Sequence, residues 1–151
     1  AGGAVLDMGV LAQSGTPREL YNRPASRFVA DFLGETNFLS AQVTEQQADT
    51  VHLHATAGDL ASTAFDRDSR LKGNVTCSVR PEAIRLVEPK GDSLAGEVVE
   101  SIYLGEMAQH IVRLQDDSRL KVFELHPMTP VANGTRVGLE IAPSDVVVLA
   151  D

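Results

Sequence analysis

Over the second half of the chain, apolar residues recur at every second position, and this period limits the fold more than any other feature. A period of two places alternate side chains on opposite faces of a strand, whereas a helix needs a period near 3.6. The runs are Val75/Cys77/Val79, Val98/Glu100/Ile102/Leu104 against Val99/Ser101/Tyr103, His110/Val112/Leu114, Leu120/Val122 and Val137/Leu139/Ile141. Turn-forming residues separate them at 90–92, 115–118 and 132–134. Many short strands with few helices predict a mainly β fold, a compact antiparallel β-barrel.

The first part of the chain has a different residue pattern, one that predicts a hairpin followed by helices. Residues 4–13 predict a short hairpin of two strands around a Met8-Gly9 turn. Thr16-Pro17-Arg18-Glu19 offers a capping hydroxyl, a proline at the first helical position and a glutamate three residues after the cap, so it predicts a short helix. A second short helix is predicted after Pro24, with an apolar stripe of Phe28, Val29, Phe32 and Leu33. That stripe needs a partner to pack against.

Two segments of the β-rich part repeat one pattern, residues 78–86 and residues 140–148, and they align on their prolines. Because proline cannot donate to a β-ladder, Pro81 and Pro143 are expected at corners where one strand ends and another begins. Two similar corners without a common origin are the alternative to an internal repeat.

The composition argues against several classes of protein. The net charge is −8 and the basic residues are scattered, which disfavours a nucleic-acid surface. No apolar run approaches the roughly 20 residues of a membrane helix, and the first residues lack a signal-peptide pattern. Cys77 is the single cysteine, so no internal disulfide is predicted, in keeping with a reducing compartment.

No sequence motif predicts catalysis or metal binding. The chain has neither Gly-Lys-Ser nor Gly-Lys-Thr, so a Walker A phosphate loop is excluded, and it has no Gly-x-Ser-x-Gly elbow. His52 and His54 share one face of a predicted strand, but two ligands do not make a zinc site, and a solvent-facing pair on an edge strand is the simpler interpretation. His110 and His126 are isolated in the sequence, and we assign them no role.

Several motifs carry a resemblance to a known family. They are residues 8–21 (MGVLAQSGTPRELY), Pro24, residues 28–34 (FVADFLG) and Asn37, then residues 78–84 (SVRPEAI), residues 96–105 (GEVVESIYLG) and Pro143-x-Asp145. The first group resembles the end of the ATP-binding subunit of ABC importers for sugars, iron and polyamines. In that family the nucleotide-binding domain leads into a regulatory domain of OB-fold-like barrels, the TOBE type. The later motifs resemble its Arg-Pro-Glu hallmark, its strand ending in Tyr-Leu-Gly and its closing strand.

The resemblance implies a division of the chain. Residues 1–36 would be the C-terminal end of the nucleotide-binding domain, and residues 37–151 the TOBE regulatory domain. Residues 34–39 resemble the polyamine-type subgroup of the family more than the others. The family's Walker motifs, signature sequence and switch histidine lie upstream of such a region, so this chain is expected to be neither an enzyme nor a cofactor-binding protein alone. ATP and Mg²⁺ would be bound by the full-length parent, a transport ATPase.

The role that the resemblance implies is that of a regulatory and dimerisation domain. Its partners would be a second copy of the subunit and, through the full-length ATPase, the transmembrane permease subunits, with no nucleic acid. Its place would be cytoplasmic, peripheral to the inner face of the plasma membrane. The predicted interface residues are Arg80, Pro81, Glu82, Tyr103, Leu104 and Gly105. The stripe of Phe28, Val29, Phe32 and Leu33 is expected to pack onto the missing domain or a second copy.

Simpler and different interpretations stay open. The Arg80–Glu82 triplet can be a strand corner with an internal ion pair, and the Tyr103–Gly105 triplet an aromatic packed before a turn. A second function, a small-ligand or oxyanion sensor binding solute at a subunit interface, would have Ser78, Arg80 and Arg113 as its candidate residues. An oligonucleotide-binding barrel is disfavoured by the charge and by an aromatic content of only 5%.

Overall fold

The chain folds mainly into β-structure, as predicted. The computed structural model describes residues 3–7, 10–15, 35–127 and 129–149. The strands are β1 (Gly3–Asp7), β2 (Val10–Gly15), β3 (Asn37–Gln46), β4 (Val51–Ala55), β5 (Gly58–Ser62), β6 (Asn74–Val79), β7 (Ile84–Val87), β8 (Ala95–Leu104), β9 (Met107–Arg113), β10 (Arg119–Leu125), β11 (Arg136–Ile141) and β12 (Val147–Val148). β1 and β2 pair antiparallel, which confirms the predicted hairpin. The two predicted helices and the stripe of Phe28, Val29, Phe32 and Leu33 lie outside the described residues.

The other ten strands form two five-stranded antiparallel sheets around one core. Sheet 1 has the order β12-β6-β3-β4-β5 and sheet 2 the order β10-β9-β8-β11-β7. Alternation along each strand supplies the core: on β4, Val51, Leu53 and Ala55 are buried while His52 and His54 face solvent. The largest buried apolar side chains, drawn from both sheets and their connections, are Phe65, Leu53, Leu94, Val51, Val79, Val98, Val112, Val122 and Val146.

Both proline patterns pass the chain from one sheet to the other. A 3₁₀ turn at Pro81–Ala83 leads from β6 in sheet 1 to β7 in sheet 2, and a 3₁₀ turn at Pro143–Asp145 leads from β11 back to β12. The residue before each proline is extended, and the residue after each turn donates its N–H to the proline carbonyl. β6 pairs with β12 and β7 with β11, so the two corners lie side by side. The prediction that both prolines mark strand ends is confirmed.

A close backbone approach joins β5 to the segment that leads into β8. The N–H of Asp59 donates to the carbonyl of Asp92 at 2.7 Å, and the N–H of Ala95 donates to the carbonyl of Ala57 at 3.1 Å. Between them, Gly58 has φ +141°, and a Cβ there would lie 2.6 Å from the Ser93 backbone. Only glycine fits this position without displacing one of the sheets.

Cys77 lies at the centre of β6, fully buried. Burial raises the pKa of its thiol to about 12, because the thiolate would lose its hydration. The thiol therefore stays neutral at physiological pH and packs as a small apolar group.

No helix within the described part of the chain has the length and apolarity to cross a bilayer.

Candidate interaction surface

The predicted Arg80–Glu82 triplet forms the corner between β6 and β7. Pro81 is buried, Glu82 is exposed and Arg80 is half-buried. The Arg80 guanidinium donates a hydrogen bond of 3.0 Å to the backbone carbonyl of Glu35. The strand corner is therefore present, and its arginine fixes the segment that enters β3.

That entering segment closes the free edge of β10. The Asn37 side chain is buried, donates through Nδ2 to the Lys121 carbonyl at 2.8 Å and accepts the Lys121 N–H through Oδ1 at 2.8 Å. The Glu35 carboxylate forms an ion pair with the Lys121 ammonium. One amide side chain thus takes the place of a neighbouring strand at Lys121 and ties sheet 1 to sheet 2.

Replacing Asn37 with alanine is expected to lower the free energy of unfolding by about 2 kcal/mol, because it leaves two half-buried backbone groups of Lys121 without their partners. Urea denaturation would measure the change. Gln42→Ala, an exposed position on the same strand, is the control and should change stability by no more than about 0.5 kcal/mol. Equal effects of the two substitutions would contradict the edge-closing role of Asn37.

The predicted Tyr103–Gly105 triplet forms the tip of the hairpin between β8 and β9. Gly105 has φ +74° and begins a two-residue turn, a position that favours glycine. The Tyr103 hydroxyl accepts the N–H of Val131 at 2.9 Å and so fixes the tip to the β10–β11 connection. Leu104 is 56% exposed and Tyr103 44% exposed. The tip is anchored on one side and presents apolar surface on the other.

One predicted triplet lies beside β10, and the other lies one strand away from it, across β9. The Pro81–Ala83 turn packs against β10, and the hairpin tip reaches β10 in register, since Leu104 pairs with Met107 and Met107 with Leu125. Leu125 lies four positions after Lys121, roughly 13 Å along a strand. The structure therefore places the two triplets within one strand length of each other.

A buried polar cluster beneath the hairpin centres on His110, to which the sequence alone suggested no role. His110 is fully buried; its Nδ1 lies 2.7 Å from Ser101 Oγ and its Nε2 lies 2.9 Å from Glu124 Oε1. The Tyr103 ring meets the imidazole edge-on, with centroids 6.2 Å apart. Serine, histidine and carboxylate also make up hydrolytic triads, but here both ring nitrogens are bonded inside the sheet, which is the arrangement of a structural network.

The signal for this cluster was present in the pattern of β9. His110 occupies an inward position of the His110/Val112/Leu114 alternation, and an inward histidine requires buried partners. Its partners are Ser101 on β8 and Glu124 on β10, which only the pairing of the strands identifies. His126 lies after β10 with φ +51° and donates its N–H to the Glu106 carbonyl at 2.6 Å.

Of the three candidate residues for a ligand sensor, Ser78 and Arg80 both contact the segment that enters β3, whereas Arg113 lies on β9 in the other sheet. Ser78 is buried in sheet 1, with its Oγ 2.7 Å from Thr36 Oγ1. Arg113 lies in sheet 2, in an open groove of about 560 Å³ that Glu97, Asp117 and Arg136 also line. Arg113 is bound to Glu97 at 2.6 Å. Two carboxylates offset the two guanidinium groups, so this groove does not favour an oxyanion.

The histidine pair of β4 faces solvent as expected, but the prediction of an edge strand is wrong. β4 lies between β3 and β5, because the strand after it folds back and pairs along its whole length. His54 Nδ1 lies 2.6 Å from Asp59 Oδ1 on that neighbouring strand. Within residues 35–127 and 129–149, no three histidine, cysteine or acidic side chains are grouped as a metal site would need.

Comparison with known proteins identifies the β-rich part. Residues 77–149 match the family model of the TOBE domain. The chain is similar to the spermidine/putrescine import ATP-binding protein PotA of Pseudomonas fluorescens, 38% identical over 157 residues that cover 98% of this chain and 41% of the relative. It is also similar to PotA of Ruegeria pomeroyi, 34% identical over 98% of this chain and 41% of the relative. PotA 1 of Pseudomonas aeruginosa is 41% identical over 79% of this chain and 32% of the relative.

A solved structure supports the fold. The cytoplasmic molybdate-binding protein ModG, in a form with molybdate bound, superimposes with a TM-score of 0.58, covering 76% of this chain and 96% of its own. At 14% sequence identity this likeness concerns the fold alone. It confirms the predicted OB-fold-like barrel.

Residues 77–149 therefore form a TOBE domain. Over 98% of its length the chain is similar to spermidine/putrescine import ATP-binding proteins, in agreement with the resemblance to ATP-binding subunits of ABC importers that the sequence motifs carry. It spans about two fifths of the length of the P. fluorescens relative, since the match covers 41% of that protein.

Proposed function

We propose that this chain is the regulatory and dimerisation region of the ATP-binding subunit of an importer for polyamine-like solutes. The observation that carries the proposal is the alignment of 98% of the chain with a spermidine/putrescine import ATP-binding protein. The exposed apolar tip of the β8–β9 hairpin is consistent with a surface that contacts another protein. The ligand-sensor alternative is not favoured, because Arg113 lies in the other sheet from Ser78 and is already paired with Glu97.

The remaining parts of the proposal follow from that role. Residues 1–36 would complete the nucleotide-binding domain, and residues 37–151 would be the regulatory domain. ATP and Mg²⁺ would be bound upstream, in a full-length transport ATPase that contacts permease subunits at the inner face of the plasma membrane. The Arg80–Glu82 corner and the Tyr103–Gly105 tip would take part in contacts between two copies.

A hybrid subunit tests this function. The matched part of the P. fluorescens relative is replaced with this chain, and spermidine uptake is measured in cells that lack the native subunit. We expect uptake well above that of cells carrying the same subunit with this part deleted. A second hybrid with ModG in the same place shares the fold without the family, and it should not restore uptake.

Two results would contradict the proposal. One is a hybrid that is folded and present at the level of the native subunit but supports no uptake. The other is equal uptake with the ModG hybrid, because any barrel of this shape would then serve.

A further inference from the structure

The outer face of the β8–β9–β10 meander is apolar at one end and charged at the other. Paired residues of an antiparallel sheet lie on the same face, so the strand register fixes its composition. Four rows run from β8 across β9 to β10: Glu97, Arg113, Arg119; Glu100, Ile111, Lys121; Ile102, Gln109, Phe123; and Leu104, Met107, Leu125. We call these twelve residues the meander face.

The apolar residues of the meander face are not part of the core that the two sheets share. The core cluster includes Val98, Val112, Leu120 and Val122 from the opposite face of the same strands. On the meander face, Ile102 is 42%, Leu104 56% and Leu125 66% exposed. Six apolar side chains on one three-stranded surface are more than scattered surface positions normally supply.

From this face we infer an isologous interface: two copies of the chain pack meander face against meander face, β8 of each copy over β10 of the other. The inference rests on the dimerisation role proposed above and names the surface that performs it. A two-fold axis parallel to β9 and midway between the faces produces this arrangement. Aligned sheets pack about 10 Å apart, with a rotation of roughly 30°.

Charge complementarity selects a second copy as the occupant. Glu100 and Lys121 occupy the same row on the two outer strands, so the two-fold axis places each Glu100 over the other copy's Lys121. The same axis places Glu97 of each copy over Arg119 of the other copy. Lys121 already binds Glu35 within its own chain, and a second carboxylate from the facing copy would extend that ion pair into a network.

The uncharged rows are complementary under the same operation. Leu104 of one copy packs on Leu125 of the other, and Ile102 packs on Phe123 of the other, which buries the most exposed apolar residues of the meander face. Residues of the central strand meet themselves: Met107, Gln109 and Ile111 each face the same residue of the other copy. Arg113 also faces Arg113, and Glu97 of its own chain, 2.6 Å away, balances the charge of each. An amide carries both donors and an acceptor, so two glutamines can pair with each other.

A charge exchange tests the interface. In sedimentation velocity over a range of concentrations, the unaltered chain should associate, and Leu104→Glu should weaken association by about 100-fold, because the change enters the interface twice and each occurrence costs about tenfold. Glu100→Lys should also weaken it, since two lysines then face each other. The double variant Glu100→Lys with Lys121→Glu should restore part of the lost affinity.

Controls separate the interface from folding and from the proposed function. Glu88→Lys, an exposed carboxylate that follows β7 at the other edge of sheet 2, should leave association unchanged, and each variant's urea midpoint is compared with that of the unaltered chain. A dimer that tolerates Leu104→Glu and Glu100→Lys would overturn this interface and leave dimerisation intact. A strictly monomeric unaltered chain would overturn both the interface and the dimerisation role, whereas the uptake of the hybrid subunit reports on the importer function independently.

Discussion

Gly58→Ala is expected to be among the most damaging single-methyl substitutions in this chain, lowering the free energy of unfolding by about 4 kcal/mol. Its φ of +141° is strained for any residue with a side chain, and the added Cβ would lie 2.6 Å from the Ser93 backbone. The backbone segments on the two sides cannot move apart freely, because the N–H of Asp59 and the N–H of Ala95 each donate a hydrogen bond across the same gap. The methyl group would therefore separate sheet 1 from the start of β8.

The matched control is Gly91→Ala. Gly91 also has a positive φ, +48°, but a Cβ added there would have no neighbouring atom within 4 Å, so the cost should be about 1 kcal/mol. Thermal and urea denaturation of both variants give the comparison. If the two glycines cost the same, the close approach at Ser93 contributes nothing to stability.

Local sequence chemistry was sufficient to predict the elements on which the fold depends most. The period of two located β6, β8, β9, β10 and β11, because each buries one face against a common core. The two proline patterns predicted corners, since proline ends a ladder wherever it stands. The alignment of the patterns further indicated that the same corner is used twice.

The pattern failed where one residue breaks the period. Simple alternation puts Val98 on the same face as Ile102 and Leu104, but a bulge between Val98 and Glu100 shifts the register. Val98 consequently enters the core, while Ile102 and Leu104 face outward. An extra residue in one strand has no marker in the alternation itself, so the meander face could not be predicted from β8 alone.

Contacts between residues far apart in the chain could not be predicted from the sequence either. Asn37 and Lys121 lie 84 residues apart, and nothing near either position signals that a side-chain amide completes the edge of β10. The interface triplets were assigned by resemblance, and their roles stay predictions. The structure shows in addition that the Arg80–Glu82 triplet lies beside β10 and that the Tyr103–Gly105 triplet lies one strand away, across β9.

His110→Ala is the second substitution expected to have a large effect, lowering the free energy of unfolding by about 3 kcal/mol. It removes a fully buried ring, and it deprives Ser101 and Glu124 of the nitrogen atoms they contact at 2.7 and 2.9 Å. Glu124 is partly exposed and can turn toward water, so most of the cost should come from the cavity and from Ser101. Gln42→Ala, the exposed control position on β3, should cost less than about 0.5 kcal/mol.

A double-mutant cycle shows whether the cluster acts as a network. Ser101→Ala alone, His110→Ala alone and the two together are compared by urea denaturation, with a coupling of about 1 kcal/mol expected for a direct hydrogen bond between buried groups. Full additivity would mean that the bond between Ser101 and His110 does not contribute to stability.

Because Tyr103 packs edge-on against the same ring, His110→Ala should also loosen the hairpin tip. Faster amide exchange at Val131, whose N–H the Tyr103 hydroxyl accepts, would report that loss, since the bond that protects this amide depends on the position of the tyrosine ring.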